Sequence, residues 1–340
     1  MSRAILTYSS MQSFLDCPRK YLNREIKCLT SKEKNRTLDF GSAWHGALER
    51  WYTPGDQDVK CAAIKQYFSD CFPNRESDYN ERRDFLMLDV MFSTYLNRFP
   101  EEDFDVIAAE TKFLLPIINP NTGRISRTFN LSGKVDGLIR MKETGELYIL
   151  EHKTASSVDG SYLEKLPLDF QINLYAYALS RHLKRPITGV IYNVIQKSGI
   201  KLKMGETEEA YQKKLADRIA ESKTGKSALK RIMPQTDEEF TIELRSKYRD
   251  PEMITREQLL ISPQDLKDTE QYVWTITQKI IGEMNEGDWL PNRGHCFKYG
   301  KTPCQYWALC RSKNSELVQQ NFYDIKPPHE ELAEVTEPLF

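Results

Sequence analysis

Residues 131–154 read LSGKVDGLIRMKETGELYILEHKT. Two apolar-flanked runs bracket turn residues between Lys142 and Glu146, so the stretch is expected to form a β-hairpin. If Arg140 and Leu147 close it, antiparallel pairing sets Asp136 opposite Glu151. Strand alternation then puts Lys153 on the same face as Glu151. Two facing carboxylates at the end of a sheet cost free energy unless they are protonated, paired with a cation or bound to a metal. With an ammonium beside them they suit a hard cation, Mg²⁺ or Mn²⁺. The alternative is an exposed hairpin on which Glu151 and Lys153 form an ordinary same-face ion pair.

The surroundings of the hairpin indicate an α/β protein. On its N-terminal side, residues 105–117 (DVIAAETKFLLPI) read as another strand, and the first hundred residues read mostly as helix. Ser9 or Ser10 is a candidate cap for a helix that Pro18 interrupts. Phe40, Trp44, Leu48 and Trp51 recur at helical spacing, and a further helix fits residues 82–99. On the C-terminal side, residues 168–183 read as helix and 187–197 as a buried strand. A mixed central sheet flanked by helices is the expected architecture, with a helical N-terminal part and a Cys-rich C-terminal part. The expected organisation is a helical part over 1–100, a core over 101–200, a charged insertion over 201–255, a helix and cysteine region over 256–325, and a flexible acidic tail over 326–340.

Composition narrows the class. The chain has 340 residues, 40% hydrophobic and 29% charged, with a formal net charge of −1. That argues against a histone-like binder of nucleic acid, but not against an enzyme that grips a phosphate backbone in one local groove. No run is long and apolar enough for a membrane span, and no secretory signal is evident, so a cytoplasmic protein is expected. Seven cysteines in a reducing compartment suggest metal ligands where they cluster.

The order of motifs resembles the PD-(D/E)XK nuclease superfamily, in particular its RecB/AddB-like branch, which includes CRISPR-associated adaptation exonucleases and phage-encoded nucleases. The residues that carry the resemblance are His45 in GSAWHGALE, Glu110 in AAETKF, Asp136 in GKVDG, Glu151 and Lys153 in EHK, and Gln171 and Tyr175 in QINLY. The resemblance implies a restriction-endonuclease-like core and a metal-dependent DNA nuclease. Asp136 and Glu151 would hold the ion, with the backbone carbonyl of His152 a further oxygen and Glu110 a weaker candidate. His45 would be a metal ligand or a gate beside the metal. Lys153 would orient the attacking water or stabilise charge on the phosphate, while Gln171 and Tyr175 would touch Lys153 and the DNA backbone. Gly133 and Gly137 would let a backbone approach a DNA strand.

Cys296, Cys304 and Cys310 crowd into CFKYGKTPCQYWALC, and Cys17 in LDCPRKY is the nearest candidate for a fourth ligand. The resembled branch frequently carries an iron–sulfur cluster held by one cysteine before the core and three after it. Four thiolates suit [4Fe–4S] or zinc, and His295 is a rival ligand. The gap of seven residues between Cys296 and Cys304 is wider than the usual two.

Two fragments, at Gly225 and Gly300, mimic a phosphate-binding loop. Ala220 and His295 stand where its first glycine belongs, so any helicase or recombination partner would be a separate protein. The basic stretch from Lys201 to Arg231, with Lys203, Lys213, Lys214, Arg218, Lys223, Lys226 and Lys230 between, is either a DNA clamp or a solvated insertion. The leading expectation is an exonuclease acting on single-stranded DNA or DNA ends in recombination, repair or phage DNA metabolism. An endonuclease and a noncatalytic DNA-binding subunit are the alternatives.

Overall fold

Alternating apolar residues draw residues 104–155 into three long strands: β2 (Phe104–Ile118), β3 (Ile125–Met141) and β4 (Leu147–Ala155). The structure is a computed structural model that describes residues 3–33, 35–222, 227–298 and 302–332. Lys223, Lys226, both loop-like glycines and most of the expected tail lie outside the described residues.

Strand β3 is the spine of a six-stranded mixed sheet. Along one edge it pairs antiparallel with β2, from Phe104↔Met141 to Ile118↔Ile125. Its other edge is shared by two partners. A short strand, β1 (Ala4–Leu6), runs parallel to Phe129–Leu131, and β4 pairs antiparallel with Gly137–Arg140. Among the described residues, no strand covers the stretch between Leu131 and Gly137 on that edge. The sheet continues through β5 (Gly189–Gln196), parallel to β4, and β6 (Ile254–Leu260), antiparallel to β5.

Helices cover both faces. Against one lie α1 (Tyr8–Asp16), α5 (Phe170–Leu183) and α8 (Pro263–Glu286), in a core with Phe113, Val135, Ile149, Leu174, Val194 and Ile276. The other face packs α2 (Arg36–Tyr52), α3 (Gln57–Cys71), α4 (Tyr79–Arg98) and α7 (Asp237–Lys247) around Trp44, Leu48, Ile64, Met91 and Phe240. The expected mixed α/β architecture is therefore the one observed.

Three local details differ from the sequence reading. Helix α1 is capped by Thr7 rather than Ser9 or Ser10, because Thr7 Oγ1 accepts the Ser10 N–H while Ser10 Oγ accepts the Thr7 N–H. Helix α3 buries little beyond Ile64 and Phe68, so its sequence carries weak helical periodicity. Strand β6, ITREQLL, crosses the expected boundary at 255 and forms an edge of the main sheet. It has one partner strand and mostly half-exposed residues, so its apolar signal is faint. Residues 201–253 thus connect two neighbouring antiparallel strands. Within them α6 (Glu208–Glu221) buries no residue, whereas α7 anchors through Phe240 and Leu244.

A buried polar network ties β6 to the helical face. Arg256 donates to both carboxylate oxygens of Glu102 (2.6 and 3.0 Å), to Asn193 Oδ1 (2.6 Å) and to the Tyr95 hydroxyl (3.2 Å). Its guanidinium lies 3.5 Å from the centroid of the Phe99 ring. Tyr52, at the end of α2, donates to Glu102 at 2.7 Å. Replacing Arg256 with Met leaves the Glu102 carboxylate short of its cation in a mostly buried setting, a loss expected to cost about 2–3 kcal/mol. Urea unfolding of Arg256→Met checks it; an unchanged midpoint would refute this account of the network.

Candidate active site

The site begins where β3 and β4 part. Their ladder runs from Arg140↔Leu147 to Gly137↔Leu150, in the register the hairpin requires, and stops one residue short of Asp136 and Glu151. At the fork a side chain takes over from the backbone ladder. The His152 N–H donates to Asp136 Oδ2 at 2.8 Å. The other oxygen, Oδ1, lies 3.0 Å from His45 Nδ1. Helix α2 delivers that imidazole: Asn35 caps its start, and Phe40, Ala43, Trp44, Ala47 and Leu48 bury its apolar stripe, leaving His45 half-buried beside it.

Glu151 is only 3% exposed, and its carboxylate accepts from the Lys153 ammonium. Gln171 and Tyr175 lie one turn apart on α5, with the Tyr175 phenol in the field of Glu151 and Lys153. The structure therefore brings together His45, Asp136, Glu151, Lys153, Gln171 and Tyr175. Glu110 stands level with Asp136 across β2, between Ala109↔Gly137 and Thr111↔Val135. It adopts a left-handed φ of 52°, unusual in a strand, and its carboxylate is engaged by Lys134. The sequence reading assigned no role to Lys134. Gly133 serves packing: a Cβ there would lie 2.6 Å from the Phe113 ring.

Burial and charge compete at every group. Burial opposes the charged form of Asp136, but the His45 charge and hydrogen bond, helped by His152 and Lys153, outweigh it and hold the carboxyl far below its usual range. Burial pushes Glu151 up to about 7; Lys153 opposes the rise and the Asp136 charge adds to it. Burial likewise opposes the charges of Lys153 and His45, yet Glu151 and Asp136 respectively keep both above their ordinary values. The His152 side chain points to the opposite face, where its ring stacks on Tyr52 at 5.6 Å. Burial drives it down to about 3, and among the described residues neither ring nitrogen has a hydrogen-bond partner.

Among the described residues, no group of three or more His, Cys, Asp or Glu side chains is already drawn together for a metal ion. The donor chemistry of the fork still suits a hard cation: two largely buried carboxylates, with burial favouring the protonated form of Glu151 against the pull of Lys153.

The chain ends meet elsewhere. Asn292 donates its N–H to Cys17 Sγ at 3.2 Å, and Cys304 donates its N–H to the Cys296 carbonyl at 2.8 Å. Burial raises the Cys304 and Cys310 thiols. The rival ligand His295 lies 3.9 Å from Asp16. Lys201, Lys203, Lys213, Lys214 and Arg218 are all exposed, with Lys203 paired to Glu243 and Lys214 to Glu206. No helix of the described residues is long and apolar enough to cross a membrane.

The family model of the PD-(D/E)XK nuclease superfamily matches residues 5–311. Among solved structures the chain is similar to a candidate exonuclease from Eubacterium rectale, at 9% identity over 87% of this chain and 86% of that one, with a TM-score of 0.41. It is also similar to the protein designated SSO0001, at 16% identity over 71% of this chain and 82% of that one, with a TM-score of 0.21. No curated protein matches the chain.

The raised Glu151 carboxyl has a measurable consequence in metal-free protein. The folded state keeps a proton that the unfolded chain releases near its ordinary value, so stability from this group falls as pH rises from about 4.5 to 7. His152, depressed in the fold, acts in the opposite sense below its ordinary value, so the Glu151 contribution is read as a difference. In chelator, the stability of the parent relative to Glu151→Gln is expected to drop by about 2–3 kcal/mol across that window. A difference that stays flat with pH would contradict the assignment.

Proposed function

The chain belongs to the PD-(D/E)XK nuclease superfamily, and on that premise we propose that it is a Mg²⁺- or Mn²⁺-dependent deoxyribonuclease that digests DNA from its ends. The observation that carries the proposal is the convergence of His45, Asp136, Glu151 and Lys153 on the fork between β3 and β4. Asp136 and Glu151 would hold the ion, with the His152 carbonyl as a further oxygen and His45 at its side. Glu110 joins them only if it leaves Lys134. A bound ion supplies Lewis acidity toward the phosphate and lowers the pKa of a coordinated water. The protein's own groups do the rest. The His152 N–H fixes the Asp136 carboxylate, and His45 keeps it ionised. Lys153 remains charged and meets the negative charge that develops on the phosphate oxygens. Gln171 and Tyr175 steady that ammonium and face the DNA backbone.

The exonuclease reading follows the motif order of the RecB/AddB-like branch. An endonuclease would use the same side chains, and closed circular DNA separates the two. A noncatalytic DNA-binding subunit is disfavoured by the complete set of polar groups. We read residues 101–200 together with β6 as the nuclease core, with residues 201–253 as an excursion whose Lys213 and Arg218 are candidate backbone contacts. Cys17, Cys296, Cys304 and Cys310 suit a [4Fe–4S] cluster, with zinc the other occupant compatible with four thiols. A cytoplasmic role in recombination, repair or phage DNA metabolism beside a separate helicase fits this reading.

Digestion of linear and circular DNA tests the activity. Cutting of linear DNA is expected to need Mg²⁺ or Mn²⁺, to stop in chelator, and to fall roughly 10³-fold or more in Lys153→Ala and Asp136→Asn. DNA left intact by the parent protein with either ion would refute the proposal. Purification without oxygen is expected to give a brown protein whose visible absorbance is lost in Cys17→Ser; a colourless protein carrying bound zinc would overturn the iron–sulfur assignment.

A further inference from the structure

The peptide of His152 faces the fork while its ring is locked into the opposite side of the sheet. Its N–H donates to Asp136 Oδ2, and in an extended strand the carbonyl of the same residue turns to the same edge. The ladder between β3 and β4 ends at Gly137↔Leu150, so this peptide takes its orientation from what holds β4 elsewhere. Two supports are present. One is the parallel ladder to β5, in which His152 stands level with Asn193. The other is the ring, which stacks on Tyr52 at 5.6 Å and meets Tyr95 edge-on at 6.0 Å.

Packing alone does not explain an imidazole at this position. His152 is 2% exposed, and among the described residues neither ring nitrogen has a partner. A phenyl ring of similar size would avoid that cost. The neighbouring side chain carries the matching deficit. Asn193 Oδ1 accepts from Arg256 Nε at 2.6 Å, which fixes the amide. That orientation leaves Asn193 Nδ2 a buried donor with no partner among the described residues. Residues paired in a ladder project to one face, so this donor and the imidazole stand side by side. A neutral imidazole has one acceptor nitrogen, the group that Nδ2 lacks. Asn193 is in turn level with Arg256 on β6, whose guanidinium is anchored by Glu102 and Tyr95.

We propose that His152 is a positioning residue for the metal site. When the fork takes up its ion, the imidazole accepts from Asn193 Nδ2. The Arg256 network then fixes the peptide whose N–H holds Asp136 and whose carbonyl is the further candidate ligand. This rests on the reading of the fork as a divalent-cation site and adds a support on the far side of the sheet.

Calorimetric titration of the full chain with Mn²⁺, without DNA, reads the effect. His152→Phe keeps the ring contacts with Tyr52 and Tyr95 but has no acceptor nitrogen. It is expected to hold or raise the urea midpoint in chelator while weakening Mn²⁺ binding about tenfold. Asn193→Leu is expected to weaken Mn²⁺ binding by a similar factor. The two changes together are expected to do no more than either alone, because they remove the same bond. If His152→Phe binds Mn²⁺ like its parent, or loses affinity only with a matching loss of stability, the positioning role is refuted while the cation site stands. Additive effects of the two changes would refute the shared bond. A parent protein that binds no Mn²⁺ removes the cation site and the positioning role together.

Discussion

The site depends on an unfinished ladder. Antiparallel strands that stay paired satisfy their own N–H and C=O groups and have no use for a carboxylate at their junction. Here β4 leaves β3 after Gly137↔Leu150, and β1 rejoins the same edge only at Leu131. The interval opens the sheet, and the freed His152 N–H finds Asp136 instead of a carbonyl. That single bond fixes the carboxylate, which in turn holds His45 and sets the field felt by Glu151 and Lys153. Take away the fork and these groups have no reason to converge.

The alternation of strand β4 divides the labour. Glu151 and Lys153 face the side of α1 and α5, while His152 between them turns to Tyr52 and Tyr95 on the helical side. The same residue thus contributes its backbone to the chemistry and its ring to packing. Helix α2 works on both sides as well: His45 reaches Asp136, and Tyr52, two turns on, joins the Glu102–Arg256 network. A shift of α2 against the sheet would therefore disturb the imidazole and the buried ion pair together.

Much of this was legible in the sequence because hairpin register is arithmetic. Once Arg140 and Leu147 close the turn, Asp136 and Glu151 meet at the end of the ladder, and period two fixes Lys153. Helical spacing likewise predicts that Gln171 and Tyr175 share a face. Non-local pairings escaped. Strand β1 is three residues long, and β6 is a polar edge strand, so neither has a pattern of its own. Glu110, which pairs with Lys134, adopts a left-handed backbone that no propensity scale anticipates for glutamate.

The closure of the chain upon itself bears on timing. Leu29–Ser31 pairs with Tyr323–Ile325, Tyr306 donates to the Leu29 carbonyl at 2.6 Å, and Tyr21 stacks on Trp289. Asn292 also bonds the carbonyl of Asp16, the last residue of α1. During synthesis the N-terminal elements emerge first and wait for nearly all the rest before these partners exist. Helix α1, which borders the fork, gains its final support only when the late segments leave the ribosome. A half-made chain therefore lacks a settled wall on one side of the fork, and the order of translation itself delays completion of that wall.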